Sequence, residues 1–379
     1  MTRALFIIEQ PLGNRTVYLN LRRYIDPLSE LEAKWVEVSY FNDPKTLWER
    51  IPLIPKRLRG RLAGRAQVRQ GLLSNDYDVI LFHTQSAAAL GGNPIFQKPY
   101  IISTDITPIQ HDALYAPFGH PVDRNSWIKE YKHRMARRLY QRAARLLPFS
   151  NWMKDSLISD YQVEPNRIEV IPPGIDLDQW QANHRPHSGP VRILFVGGDF
   201  YRKGGDTLLE AFRLLPAGIA ELILVTKSNL RAEGGVTVLT HLQPNTPEMI
   251  SLFKTSDIFV FPTRADSFGI VAVEASAAGL PVIAARVGAI PEIVLDGETG
   301  LIIPPDNPAL LAQALLRLIQ DPGLRLRLGQ AGRYHAEAHF DGAKNAARIV
   351  QLVVEAAHSH LQQHAQPSLM DAATRQQTS

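Results

Sequence analysis

The 379-residue chain contains no cysteine. Disulfides, a thiolate nucleophile and any Cys-based metal site are thereby excluded. Long hydrophobic runs are missing as well. The apolar stretch at the N-terminus is only Ala4 to Ile8, too short for a signal peptide or a membrane span, so a cytoplasmic protein is expected. No internal repeat is present. The 45% apolar and 21% charged residues are in the range of folded globular proteins. A chain of this length exceeds one typical core, and two domains are the default.

Apolar runs recur along the chain, at Val79–Phe82, Tyr100–Ser103, Ile168–Ile171, Arg192–Val196, Leu222–Thr226, Ile258–Phe261 and Val282–Ala284, with helix-like segments between them. This alternation predicts an α/β protein with a parallel, helix-flanked sheet in each half. In such sheets ligands bind beyond the carboxyl ends of the strands. A polar, Pro- and Gly-bearing stretch, Gln179 to Pro190, reads as the linker.

The segment from Phe261 to Pro305 concentrates chemistry. Ile258–Phe261 is a buried-strand pattern stopped by Pro262, and Ser267, Phe268 and Gly269 precede a helical run from Ile270 to Ala278 that ends at Gly279 and Pro281. A glycine at the start of a helix that follows a strand lets backbone N–H groups and the helix dipole face an anion, with phosphate the natural candidate. Asp266 and Glu274 are eight residues apart, just over two helical turns, so both can address one ligand. Spacing alone leaves open a capping Asp and a solvated or core-paired Glu.

These residues resemble the donor-site signature of the retaining glycosyltransferases of family 4, in which two acids bracket seven residues. After Asp266 and Glu274 come Gly279-Leu280-Pro281-Val282, the turn Gly288-Ala289-Ile290-Pro291-Glu292, and Asp296-Gly297-Glu298-Thr299-Gly300. The family usually has Glu at the first acidic place, where this chain has Asp266. The segment Val191 to Gly205 resembles the family's phosphate loop. There Gly197 and Gly198 enter the turn, and Arg202 and Lys203 stand where cations hold a donor pyrophosphate. Leu146 to Asp176 resembles the end of the family's first domain and puts the hinge near Ile175. At the N-terminus, strand Ala4 to Ile8 leads to a loop with Gly13, one glycine where the family often has two.

The resemblance implies a GT-B fold: two Rossmann-like domains whose parallel sheets face each other across a cleft. The expected boundaries are 1–178 for the acceptor-binding domain and 190–342 for the nucleotide-sugar domain. A helix over 343–365 would cross back to the first domain, and 366–379 is read as a disordered tail. The implied activity is transfer of a hexose from a UDP- or GDP-linked sugar to an acceptor hydroxyl with retention. Asp266 would then contact the donor sugar, Glu274 the ribose, and Ser267, Phe268, Gly269, Ile270 and Val271 the diphosphate turn. His241 and Leu242, in the loop Leu239 to Asn245, fall where the family contacts the base. No Asp-x-Asp pair accompanies the donor-site acids, so no metal and no cofactor beyond the nucleotide-sugar co-substrate are expected. A GT-B-fold epimerase or phosphorylase and a catalytically silent nucleotide-sugar-binding or membrane-associated protein stand as alternatives.

On the acceptor side, the place where related enzymes often carry His is filled by Thr104-Asp105, in the segment Tyr100 to Pro108. Asp105 could orient a substrate hydroxyl or cap the following turn. His83 and His111 with Asp112 are further candidates, each with a purely structural role as the alternative, whereas His358, His360 and His364 read as a tail helix.

Charge is uneven: residues 1–180 carry 24 basic against 19 acidic side chains, and the remainder 17 against 18. The excess concentrates in Lys45 to Arg69, with eight basic residues and one acid interleaved with Trp48, Ile51, Leu53, Ile54, Leu58 and Leu62, and again in Lys129 to Arg145. A basic amphipathic segment can lie on an anionic membrane surface, and a solvated helix face is the alternative. Nucleic acid is not expected as a partner, because no stacking platform or known binding module accompanies the charges.

Overall fold

Eleven strands build two parallel sheets among the residues described by the computed structural model, which are 1–10, 13–41, 55–119, 125–181 and 189–376, with side chains for all but 57 and 363–376. The first sheet has the order β2-β1-β3-β4-β5, made of β1 (Thr2–Glu9), β2 (Leu31–Val38), β3 (Val79–His83), β4 (Tyr100–Thr104) and β5 (Arg145–Pro148). The second has the order β11-β10-β9-β6-β7-β8, made of β6 (Val191–Val196), β7 (Ala220–Val225), β8 (Val236–Leu239), β9 (Ile258–Phe261), β10 (Val282–Ala285) and β11 (Gly300–Ile303). Every pairing within both sheets is parallel. The central strands β3, β4, β9 and β10 are buried throughout, which is why they read as unbroken apolar runs.

Parallel neighbours need crossovers, and helices supply them. In the first half these are α1 (Asn14–Ile25), α2 (Lys56–Ser74), α3 (Gln85–Gly91), α4 (Pro108–Tyr115), α5 (Ser126–Arg142) and α6 (Asn151–Ser159). In the second half they are α7 (Gly205–Arg213), α8 (Pro247–Thr255), α9 (Ile270–Ala277), the short α10 (Ile290–Ile293), α11 (Pro308–Gln320) and α12 (Pro322–His339). The last helix, α13, runs Gly342–Gln376, longer than the segment expected from sequence. It lies against α1 in the first half, burying Ala346, Ile349, Val350, Leu352, Val353, Ala356 and Ala357. Arg348 joins Glu169 there through two hydrogen bonds of 2.5 and 2.7 Å.

The chain passes between the halves twice, and the passages touch. Ile175 N donates to Phe340 O at 2.9 Å and Gly342 N to Ile175 O at 3.0 Å. A Cβ on Gly174 would lie 2.4 Å from Gly342 Cα, so the two glycines permit this approach. One apolar cluster continues across the boundary through Phe149, Ile171, Ile175, Trp180 and Phe268. Ile168–Ile171, expected as a strand, contributes only an isolated bridge from Ile168 to Leu146. The expected linker falls largely on 182–188, outside the described residues.

Candidate functional site

Because all strands are parallel, the carboxyl ends of each sheet lie along one edge, and the loops leaving those edges meet. From the second sheet come the turn after β6, leading into α7, and the turn after β9, leading into α9. Gly204 begins the first helix with φ 72°, and a Cβ there would sit 2.0 Å from Pro262 O. Gly269 begins the second with φ 89°, against the Phe261 ring. Neither helix has a side-chain cap among the described residues; Gly205 N of α7 donates to Phe200 O at 2.8 Å and Ala272 N of α9 to Gly269 O at 2.8 Å, and helix starts of this kind favour an anion.

Lys203 and Arg202 stand beside these helix starts. The Lys203 ammonium is paired with the Asp266 carboxylate and lies 5.0 Å from the Phe261 ring centroid. Burial pushes Lys203 below its usual range, and the charge of Asp266 opposes this. Arg202 donates to Ala265 O at 2.7 Å and to Asp199 at 3.1 Å, its guanidinium 5.8 Å from the ring of Tyr115. Asp266 also accepts weakly from Phe268 N at 3.4 Å, inside the turn itself.

Glu274 is different. It is only 9% exposed, and among the described residues its carboxyl has no hydrogen bond or ion pair; burial alone pushes that carboxyl up to about 8. A buried carboxyl without a partner is costly unless a ligand supplies one.

The first sheet contributes Asp105, just after β4. Its carboxylate accepts a hydrogen bond from the Ser267 hydroxyl across the cleft. Burial pushes Asp105 up, the bond from Ser267 opposes this, and the nearby charge of Asp266 adds to it. Capping of α4 falls to Thr107 with Gln110 in a reciprocal capping box, so Asp105 is not the cap. Phe149 after β5 meets Phe268 edge-on at 5.7 Å, a second contact between the halves. A third is polar: the Glu292 carboxylate accepts from Asn151 N at 2.8 Å and Trp152 N at 2.7 Å, at the start of α6.

One further acid at this edge was not singled out by sequence reasoning. Glu9, the last residue of β1, is buried and accepts from Thr84 Oγ1 at 2.7 Å and from the Tyr40 hydroxyl. Thr84 and Tyr40 both hold positive φ, 89° and 65°, a strained conformation for side chains of this kind. Burial chiefly, with a contribution from Asp105, pushes Glu9 up to about 7. An acid terminating an otherwise apolar strand was the available signal.

The other sequence candidates separate from this cluster. Gly197 packs against Lys203, such that a Cβ would lie 2.9 Å from Lys203 Cβ, whereas Gly198 faces open space apart from Lys227. Ile270 and Val271 are half-buried in the first turn of α9. His241 is exposed and Leu242 half-buried, on the loop beyond the edge strand β8. His83 is buried and stacked on Phe149 at 5.6 Å; among the described residues neither ring nitrogen has a partner, and burial lowers it to about 4. His111 lies on α4 beside Tyr115, their ring centroids 4.8 Å apart. Two Asp-x-Asp spacings do occur in the chain, and both lie elsewhere. Asp78, with Asp76, binds Arg3 at the opposite end of the first sheet; Asp176 pairs with Arg23 at 2.5 Å, in the turn that also contains Asp178. No cluster of three or more metal-ligating side chains occurs among the described residues. No helix among them is long and apolar enough to cross a membrane.

Comparison with known proteins agrees with this geometry. Residues 176–335 match the family model of the glycosyl transferases group 1, and residues 29–179 match that of Glycosyltransferase Family 4. The chain is 32% identical over 339 residues to the D-inositol 3-phosphate glycosyltransferase of Arthrobacter sp. (strain FB24), covering 83% of this chain and 79% of that protein. Among solved structures it is similar to the sucrose-phosphate synthase of Thermosynechococcus elongatus, with a TM-score of 0.74 at 18% identity over 94% of this chain and 99% of that one. It is also similar to Anabaena Alr3699/HepE in complex with UDP-glucose, with a TM-score of 0.69 at 20% identity over 94% of this chain and 100% of that one. Two parallel Rossmann-like sheets facing across a cleft, together with these matches, make the chain a glycosyltransferase of the GT-B fold that belongs to the group 1, family 4 glycosyltransferases.

Proposed function

We propose that the protein transfers a hexose from a nucleoside diphosphate sugar, UDP- or GDP-linked, to an acceptor hydroxyl with retention of configuration and without a metal ion. The observation that carries the reading is Glu274: a buried carboxyl with no protein partner, one turn into a helix whose N-terminus is uncapped. A ribose diol supplies the missing hydrogen-bond donors while the adjoining diphosphate occupies the helix starts of α7 and α9. Arg202 and Lys203 stabilise the charge that accumulates on the diphosphate as it leaves. Binding of that anion draws Lys203 from Asp266 and frees the carboxylate for hydroxyls of the sugar.

In the proposed front-face step the bond from the anomeric carbon to the diphosphate oxygen breaks while the acceptor oxygen bonds to the same face. The acceptor proton passes to the departing diphosphate oxygen. Asp105, on the opposite wall beside Ser267, orients the acceptor or the sugar. The acceptor enters from the first half, where Glu9 accepts from Thr84 at the carboxyl edge of the sheet.

Support for a uridine nucleotide comes from Anabaena HepE, solved with UDP-glucose, and the inositol 3-phosphate named for the Arthrobacter relative belongs in any acceptor panel. Thermal shift with UDP, GDP and their sugars, followed by a transfer assay, tests the reading. A nucleotide at 100 times its Kd stabilises the fold by about 2.7 kcal/mol, well within detection. Lack of stabilisation by every nucleotide would refute the donor assignment, and binding with no transfer or hydrolysis would favour a silent binding protein.

A further inference from the structure

The helices of the first half divide into two layers. Val68 and Leu72 of α2, Ala87 and Ala88 of α3, and Leu139 and Tyr140 of α5 share one apolar cluster on one face of the sheet, while α1 and α13 cover the other. The outward surfaces of α2 and α5 therefore belong to the same side of the molecule, with α3 between them.

Both surfaces are basic. On α2 the exposed Arg61, Arg65 and Arg69 follow each other at intervals of four residues, so they form one row, and α2 contains no acid. Like charges in such a row repel, a cost that an external anionic surface removes. On α5 the exposed Lys129, Lys132 and Arg134 face a single acid, Glu130, which pairs with Arg134.

Both surfaces also expose apolar groups where a soluble helix would not need them. Leu58 and Leu62 on α2 are 48% and 38% exposed, and Trp127, Tyr131 and Met135 on α5 are 70%, 60% and 41% exposed, again at four-residue intervals. Leu58, Leu62, Trp127 and Tyr131 lie in the N-terminal halves of their helices, Met135 just past the middle of α5, and the exposed Leu73 at the C-terminal end of α2. Since α2 leads into β3 and α5 into β5, and both strands are parallel, both helices start at the carboxyl edge of the sheet, the edge that opens on the cleft.

From this arrangement we infer that the α2–α3–α5 face docks on an anionic lipid bilayer and holds the acceptor side of the cleft at headgroup level. Cations at the rim with Trp, Tyr, Leu and Met protruding among them are complementary to a bilayer interface, where the charges meet phosphates and the apolar groups enter the acyl boundary. A nucleic-acid backbone would satisfy the cations and leave Leu58, Leu62 and Met135 without a counterpart. The inference is independent of which sugar the cleft transfers.

Co-sedimentation of the full chain with vesicles tests it, using phosphatidylcholine alone and phosphatidylcholine mixed with phosphatidylglycerol. Binding to the anionic vesicles only, weakening as salt is raised, is the expected result. Each cation near the surface contributes roughly fivefold in partitioning, so R61E/R65E/R69E should lower it by more than a hundredfold. W127A/Y131A should reduce binding about tenfold or more while leaving the melting temperature unchanged, since both side chains are exposed. Absence of sedimentation, equal binding to both vesicle types, or anionic binding that survives the triple charge reversal would overturn the inference. So would capture by a short DNA duplex that outcompetes the vesicles.

Discussion

In the proposed reaction Lys203 and Asp266 are the residues on which the chemistry turns, and in the structure each is the other's partner. Truncating Lys203 removes the cation proposed to hold the diphosphate and leaves the half-buried Asp266 carboxylate without its ion pair. Lys203→Ala is expected to lower turnover more than tenfold, the scale associated with losing a charge-stabilising group, and kcat for sugar transfer measures it; near wild-type rates would sink the assignment. Glu274 makes a different prediction, one of pH. Burial pushes its carboxyl from the ordinary value of about 4.5 up to about 8. The folded state therefore holds a proton that the unfolded state has lost across that window. Stability contributed by the neutral carboxyl is full below the unfolded value and is lost as pH rises through 8. Glu274→Gln keeps the neutral form at every pH, so its melting temperature should exceed that of the parent by a few degrees above pH 8 and converge with it toward pH 5. A gap that does not change between pH 5 and pH 9 would show that Glu274 is not held protonated. The same variant should bind nucleotide sugars less tightly, because donors from a ribose diol favour the ionised carboxylate, a form the amide does not have.

Among elements, the starts of α6, α7 and α9 do most to shape the cleft. Gly204 is the sharper test of local backbone: at φ 72° with Pro262 O at 2.0 Å from any Cβ, Gly204→Ala has neither the conformation nor the room. Gly218, at φ 80° with nothing near it, isolates the conformational part alone. Urea titration should place Gly204→Ala at least about 2 kcal/mol below Gly218→Ala, since overpacking against backbone adds to the αL cost. Equal losses would mean that the close approach to Pro262 contributes nothing. At α6, where Ser150 is the local N-cap, a second acceptor comes from the other half of the molecule, the Glu292 carboxylate. Glu292→Ala removes it at about 1–2 kcal/mol, and small-angle scattering should then report a larger radius of gyration in the absence of nucleotide. The legible elements were those with a pattern of their own. Strands β9 and β10 and helix α9 stood out because burial on every side demands an unbroken apolar run. Strand β2 was missed because it is an edge strand whose Glu32, Lys34 and Glu37 break that run, and β8 because most of its residues are only partly covered.

For the whole molecule, the halves are joined by α13, by the Ile175–Asp341 crossing and by the aromatic contact of Phe149 with Phe268. Ile349, Val350, Leu352 and Val353 are buried along α13. At about 1.5–3 kcal/mol for each such side chain, their removal is comparable to the 5–15 kcal/mol that separates folded from unfolded domains. A chain ending at Phe340 should consequently be recovered as aggregate, whereas one ending at Gln362 should melt as the full chain does. Soluble, cooperatively melting protein from the shorter chain would show that the first half does not depend on this helix.

The sequence by itself determined the α/β class, the two halves, and the positions of Arg202, Lys203, Asp266 and Glu274, because strand burial, glycine turns and charge spacing are local properties written along the chain. Tertiary structure decided which of those groups face each other. Asp105 reaches Ser267 across the cleft, Glu9 collects two hydroxyls from strained residues, Glu292 accepts from N–H groups at the start of a helix of the other half, and the Glu274 carboxyl has no partner among the described residues. Those relations join residues as much as 162 positions apart, and no local pattern encodes them. They arise when parallel strands align their carboxyl ends and the two sheets turn those ends toward each other.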